Sequence, residues 1–217
     1  MESASRRPGP RNDVNVKEAL LDAAEALFGD ASVDAVSLRA VAREAGVGPT
    51  ALHHHFASKG ALLRAVVGRR TTPMGRQLWE RLTAVRDAPS RPSSRDVIDA
   101  VLLPFVDVLD ADPVGGLRWV KLFTSLALTE DPVWVDELNK DPSITELFLH
   151  AAGRAIPDVT DREVQRRAGI VMFAMMTALA STGLDGYGRP LGPDGLDTRY
   201  VEQLAIFLAA GFEGGGG

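Results

Sequence analysis

The chain has no cysteine, which excludes a disulfide framework and thiolate metal sites and fits a reducing compartment. A long apolar run is missing too. The longest uncharged stretch, Ala168 to Leu184, contains glycine, serine and two threonines and falls short of the roughly 20 apolar residues that a membrane helix needs. A buried helix is expected there, with no membrane partner. The opening MESASRRPGPRNDVNVK carries arginines with no apolar stretch behind them, unlike a secretory signal, so a cytoplasmic location is expected. Strand-like alternation of apolar and polar residues is absent, as are a glycine-framed nucleophile, a paired-acid motif and a phosphate loop. Neither catalysis nor a cofactor is expected.

What is present is 45% apolar residues over 217 positions, ample for a small domain joined to a larger one. The net charge of -5 hides an uneven distribution. Through Arg70 there are ten Lys/Arg against eight Asp/Glu, and beyond it fourteen against twenty-one. The first part is weakly basic and the acidity sits in the second. A small net charge is compatible with nucleic-acid binding, because affinity depends on cations gathered on one face.

Residues 1–13, rich in Arg, Ser, Pro and Gly, show no apolar period and are expected to form a disordered arm. Its Arg6, Arg7 and Arg11 are read as solvated, with a minor-groove contact as the alternative. Val16, Leu20, Ala23, Ala24, Leu27 and Phe28 then recur at helical spacing and predict a first amphipathic helix ending before Gly29. Ser37 is a good N-cap for a second helix carrying Leu38, Val41, Ala42 and Ala45, and Gly46 ends it. Pro49 suits the first turn of a third helix, from which Leu52 and Phe56 return to the same core. Ser58 can cap a fourth helix with Leu62, Leu63, Val66 and Val67, running to about Arg70 before Thr72-Pro73 disfavours its continuation. The first domain is therefore placed at residues 14–70.

Beyond Pro73, proline and glycine punctuate predicted helices at roughly 74–86, 94–111, 116–129, 132–139, 143–155, 161–184 and 197–212. The class is all-α, with a helical domain at 71–213 and the terminal glycines, 214–217, as a flexible tail.

Two short helices around a glycine turn, Ser37 to Phe56, meet the demands of a helix-turn-helix, whose second helix lies in the major groove while the first braces across the backbone. The stretch from Leu20 to Leu63 resembles the tetracycline-repressor-like (TetR) family. The residues that carry the resemblance are Phe28, Ser37, Ala45-Gly46-Val47, Leu52-His53-His54-His55-Phe56 and Ser58-Lys59. It implies an N-terminal three-helix helix-turn-helix domain and a C-terminal helical ligand-binding and dimerisation domain. It also implies that Ser37 and Lys59 touch phosphates, while Pro49, Thr50, Ala51 and His54 face base edges. Arg39 and Arg43 are candidates for further backbone contacts, and His55 for a structural or phosphate-proximal place.

His53 is the main departure, standing where the family usually has a tyrosine that contacts DNA. An imidazole can still donate to phosphate, so affinity is expected to strengthen on acidification through His53 and His54. The three adjacent histidines are not expected to hold a metal, since consecutive helical residues point about 100° apart.

One reading helix per chain gains affinity by dimerising on a palindromic operator, where two half-sites in double-stranded DNA are engaged together. The segment 168–184 is apolar or small nearly all round and needs two covered faces. Paired with the last helix and their symmetry mates it would form a four-helix homodimer interface, for which Phe173, Thr177, Leu204 and Leu208 are the candidates. The resemblance implies the same arrangement. Phe105, Trp119, Phe123, Trp134, Met172 and Met176 are candidates for a pocket, because methionine and flat rings suit an apolar or aromatic small-molecule effector. Such a regulator would act as a repressor released by its ligand; the alternative is a dimeric DNA-binding regulator without one, acting through a protein partner.

Overall fold

A computed structural model describes residues 10–214, with side chains from Val14 onward. The expected arm at 1–9, with Arg6 and Arg7, lies outside the described residues, as do the side chain of Arg11 and the last three glycines. The chain divides into two compact units, one ending at Val67 and the other beginning at Gly68, slightly before the expected boundary at Arg70.

In the first unit, α1 (Pro10–Asp30) packs against α2 (Leu38–Glu44) and α3 (Pro49–His55), and α4 (Lys59–Asp87) follows. Residues 10–13 are helical and do not belong to an arm. Pro10 is the first described residue and is already helical. The core residues of this unit include Leu20, Ala24 and Phe28 of α1, Val41 and Ala42 of α2, Leu52 of α3, and Leu62 and Val66 of α4, all at most 2% exposed.

Helix α4 does not stop at Thr72-Pro73 but runs on through Pro73 to Asp87, absorbing the expected separate helix at 74–86. An internal proline removes a hydrogen bond and costs about 3 kcal/mol in a helix interior. Here the apolar stripe that starts at Leu62, Leu63, Val66 and Val67 continues through buried Met74 and Leu82, and its burial outweighs the lost bond.

The second unit adds α5 (Ser94–Ala111), α6 (Pro113–Leu128), α7 (Pro132–Lys140), α8 (Pro142–Ala155), α9 (Asp161–Ala180) and α10 (Thr198–Glu213). Caps set its boundaries. Ser93 and Asp96 form a reciprocal capping box on α5, and Asp112, Asp131 and Asp141 each cap a helix whose next residue is proline. Helix α5 packs on α6 and α10, and α9 packs on α6, α8 and α10. Gly116 permits the α5–α6 approach, since a Cβ there would lie 2.6 Å from the Val108 carbonyl oxygen.

Between α9 and α10 the expected loop contains two short strands, β1 (Leu191–Gly192) and β2 (Gly195–Leu196), paired antiparallel with Leu191 opposite Leu196. Strand alternation cannot show in two residues. The hairpin is held from α5, where Asp110 accepts a 2.8 Å hydrogen bond from the Leu196 N–H. Gly214, assigned to the tail, instead closes α10 with φ 70°. Arg167 of α9 donates to the carbonyls of Phe212 and Glu213 just before it and fixes that end.

Among the described residues, no helix is long and apolar enough to cross a membrane.

Candidate nucleic-acid interface

The turn between α2 and α3 is built on Gly46, which takes φ 66°, a conformation open to glycine and strained for a side chain. The Val47 N–H donates to the Ala42 carbonyl at 2.9 Å and the Gly46 N–H to Arg43 at 3.1 Å, the double bond of a glycine-terminated helix. The backbone therefore reverses within four residues and resumes at Gly48, the N-cap of α3, with Pro49 following. Two seven-residue helices result, each too short to stand alone and each held by core residues: Val41 and Ala42 on α2, Leu52 on α3.

Burial of Leu52 fixes which side of α3 faces outward. Pro49, Thr50, His53 and His54 are exposed, Ala51 is half-buried, and His55 is half-buried against its neighbours. The His55 ring lies 5.3 Å from that of His54 and 6.3 Å from that of Phe56. Thr50, His53 and His54 occupy positions i, i+3 and i+4 and so form one continuous strip on the helix surface. These groups can donate or accept at base edges and phosphates.

Ser37 caps α2, its hydroxyl accepting the Ala40 N–H at 3.1 Å, and it remains exposed. Arg39 and Arg43 are exposed one turn apart on the same helix. Lys59, the first residue of α4, is half-buried and its ammonium reaches the Asp34 carbonyl at 3.3 Å, while Ser58 accepts the Ala61 N–H at 3.1 Å. A lysine so placed presents a fixed charge at a helix N-terminus, where anions are favoured.

Most of the expected pocket set packs ring against ring. Trp119 stacks on Phe123 at 4.7 Å between ring centres, Phe105 lies 6.3 and 6.2 Å from these two, and the Trp134 ring meets Phe123 edge-on at 4.8 Å. Trp119 and Met176 are wholly buried, Phe105 nearly so, and Met172 is half-buried on α9. These side chains fill their own volume, as core residues do. A cavity of about 630 Å³ lies instead among α4, α7 and α8, lined by Met74, Leu78, Trp79, Leu138 and Ile144 with Phe123 of α6 at its edge. Phe123 is thus the member of the expected set that reaches it. Apolar residues of a core and of a cavity wall have the same sequence pattern, and only packing separates them.

Helices α9 and α10 leave an apolar face outward. Phe173, Thr177 and Phe207 line one groove on it, and Ile170 and Phe207 are 70% and 71% exposed. Of the expected interface residues, Phe173 and Thr177 are exposed, and Leu204 and Leu208, largely buried, line the same groove. Ile206 and Phe207 add outward apolar positions, and the sequence signal for them was an apolar pair beside the inward stripe of α10.

A glycine-turned helix pair with a polar strip on its second helix, followed by a separate helical unit, defines a helix-turn-helix regulatory protein. Residues 20–66 match the model of bacterial regulatory proteins of the tetR family, and residues 99–211 match a tetracyclin repressor-like C-terminal domain. The chain belongs to the TetR family and is a DNA-binding transcriptional regulator. Over 51 residues it is 45% identical to the HTH-type transcriptional regulator BetI of Rhizobium meliloti, a match spanning 24% of this chain and 25% of that regulator. Among solved structures it resembles AmtR of Mycobacterium smegmatis (TM-score 0.63, 20% identity, 98% of this chain and 91% of that one). It also resembles a TetR-like regulator from Rhodococcus sp. RHA1 (TM-score 0.61, 17% identity, 95% and 96%). At these identities the likeness is one of fold.

Proposed function

We propose that the protein is a dimeric, sequence-specific repressor that acts in the cytoplasm and is released from a palindromic operator by a small apolar or aromatic ligand. The observation that carries the reading is the outward strip Pro49, Thr50, His53 and His54 on a helix whose other side is locked by Leu52. In this reading Thr50, Ala51 and His54 read bases, and Ser37, Lys59, His53, Arg39 and Arg43 hold phosphates. The apolar face of α9 and α10 supports dimerisation, because patches of this kind on a water-exposed protein mark partner surfaces. The ligand half of the reading is favoured by the cavity and by α4. This helix begins at Lys59, beside the reading helix, and continues without a break to Thr71, Met74 and Leu78 in the cavity wall. A ligand that binds one placement of α4 better than another must bind antagonistically with DNA.

Fluorescence anisotropy on DNA flanking the protein's own gene tests this. The wild type should bind tightly and lose affinity steeply with salt. Thr50→Ala should lose about tenfold on the operator with non-specific binding unchanged, and Lys59→Ala should lower the salt slope by about one. Equal binding of operator and scrambled DNA would overturn the reading.

A further inference from the structure

The cavity among α4, α7 and α8 contains a group that an apolar wall does not need. The side chain of Glu137 is 6% exposed, in a cavity lined also by Met74, Trp79 and Phe123. A carboxylate placed there requires partners, because a buried unpaired charge is strongly unfavourable. It has two. The Thr71 hydroxyl donates to Oε2 at 2.7 Å, and the Lys140 ammonium pairs with Oε1.

The two partners differ in how firmly they are held. Thr71 is half-buried on α4. Lys140 is the last residue of α7, its side chain 54% exposed on a flexible four-carbon stem. An ammonium that is already half in water can leave at little cost. Glu137 cannot follow it out, so the carboxylate is a fixed cation seat with a loosely held occupant.

We propose that the cavity binds an apolar amine, whose protonated nitrogen takes the place of Lys140 on Glu137. Its aryl or alkyl body lies against Met74, Trp79 and Phe123, and the rings add attraction for the cationic end. The opposite polarity, an organic acid, would have to use Arg76 or Lys140, which also line the cavity. Both cations are exposed, where a charge pair is weak, while the buried carboxylate of Glu137 and the neighbouring Asp141 would repel the acid. The buried group therefore decides the sign.

The inference rests on the ligand-responsive reading, yet it is tested without DNA. Phenylbutylamine, phenylbutanol and phenylbutyrate share one skeleton and differ in the charge at its end. Each is titrated into the full chain, following tryptophan fluorescence and the thermal midpoint. The amine should bind at least tenfold more tightly than the alcohol or the acid. Glu137→Gln should erase that preference, and Lys140→Ala, an exposed change, should strengthen amine binding severalfold by removing the competing ammonium. Tightest binding of the acid, equal binding of all three, no binding of the amine, or weaker amine binding by Lys140→Ala would each overturn the proposal. DNA anisotropy with the amine present separates the two ideas: binding without DNA release leaves the amine site standing and removes ligand control. Release of DNA by a different molecule, with no amine binding, does the reverse.

Discussion

In the reading head no large apolar side chain from Leu20 to Val67 is exposed, and the outer face of α3 is made of Pro49, Thr50, His53 and His54. In the C-terminal unit the core is just as dry, with Trp119, Leu122, Met175 and Phe212 at most 1% exposed, yet Ile170, Ile206 and Phe207 stand in the open. The head finishes its own burial within one chain. The second unit buries one side of α9 and α10 and leaves the other for something else to cover. The difference teaches where each unit puts its exposed surface: the head presents polar groups, the second unit apolar area of the kind that marks interaction surfaces.

The largest expected effect tests whether the two units are as separate as this contrast makes them. All three tryptophans, Trp79, Trp119 and Trp134, belong to the C-terminal unit, so their fluorescence reports it alone. Trp119→Ala should cost about 3–5 kcal/mol and lower the urea midpoint by fluorescence. Leu52→Ala, in the head, should cost about 2–5 kcal/mol, visible by circular dichroism while the tryptophan midpoint stays put. Coincident shifts in both would mean that the units unfold as one.

Next comes the uncovered face. Phe207→Glu should leave the fold intact, since the side chain is 71% exposed, and, if the proposed dimer forms through this face, yield a monomer in sedimentation. Operator affinity should then fall by about 100-fold as the second half-site is lost. A persistent dimer would show that the apolar face of α9 and α10 serves another purpose.

A smaller effect belongs to the polar strip. A His53→Ala, His54→Ala double variant, which removes the imidazoles from two exposed positions of the strip, should lose severalfold in operator affinity by anisotropy. Unchanged affinity would remove histidine from the interface.

The smallest concerns α4 after it has entered the C-terminal unit. Arg70 pairs with Asp112, the N-cap of α6, at 2.7 Å. Burial pushes the Asp112 carboxyl up, but the Arg70 hydrogen bond, the Gly115 N–H and the nearby arginine charges outweigh it and hold the group below its ordinary value. A carboxyl depressed in the folded state adds stability above the ordinary carboxylate range, and that stability fades as pH falls through the lowered value. Asp112→Asn keeps a capping oxygen and loses the charge. Asp112 is about half exposed, so the cost should be only about 0.5 kcal/mol at pH 7, shrinking as pH falls below the ordinary carboxylate range. A cost that does not change with pH would assign the effect to the cap.

The site in the head was legible because its constraints are local. A glycine forced to positive φ, a serine cap, a proline at a first helical position and Leu52 four residues before Phe56 fix the turn and the outward strip within twenty residues. The continuation of α4 was not legible. Local chemistry at Thr72-Pro73 argues for a stop, and only the burial of Met74 and Leu82 on the far side of the proline overrides it.

The amino-acid sequence by itself determined the all-α class, the helix-turn-helix and the TetR family membership, since these depend on periodicity, caps and turn residues that act over a few positions. Tertiary structure alone decided which apolar residues line space and which fill it. Trp119, Phe105 and Met176 went to the core, Phe207 turned out into the open, and the Glu137 side chain was buried beside Thr71 on a distant helix. The reason is physical: hydrophobicity tells a side chain to leave water, but which of several buried places it takes depends on volume and on neighbours that the chain brings together only when it folds.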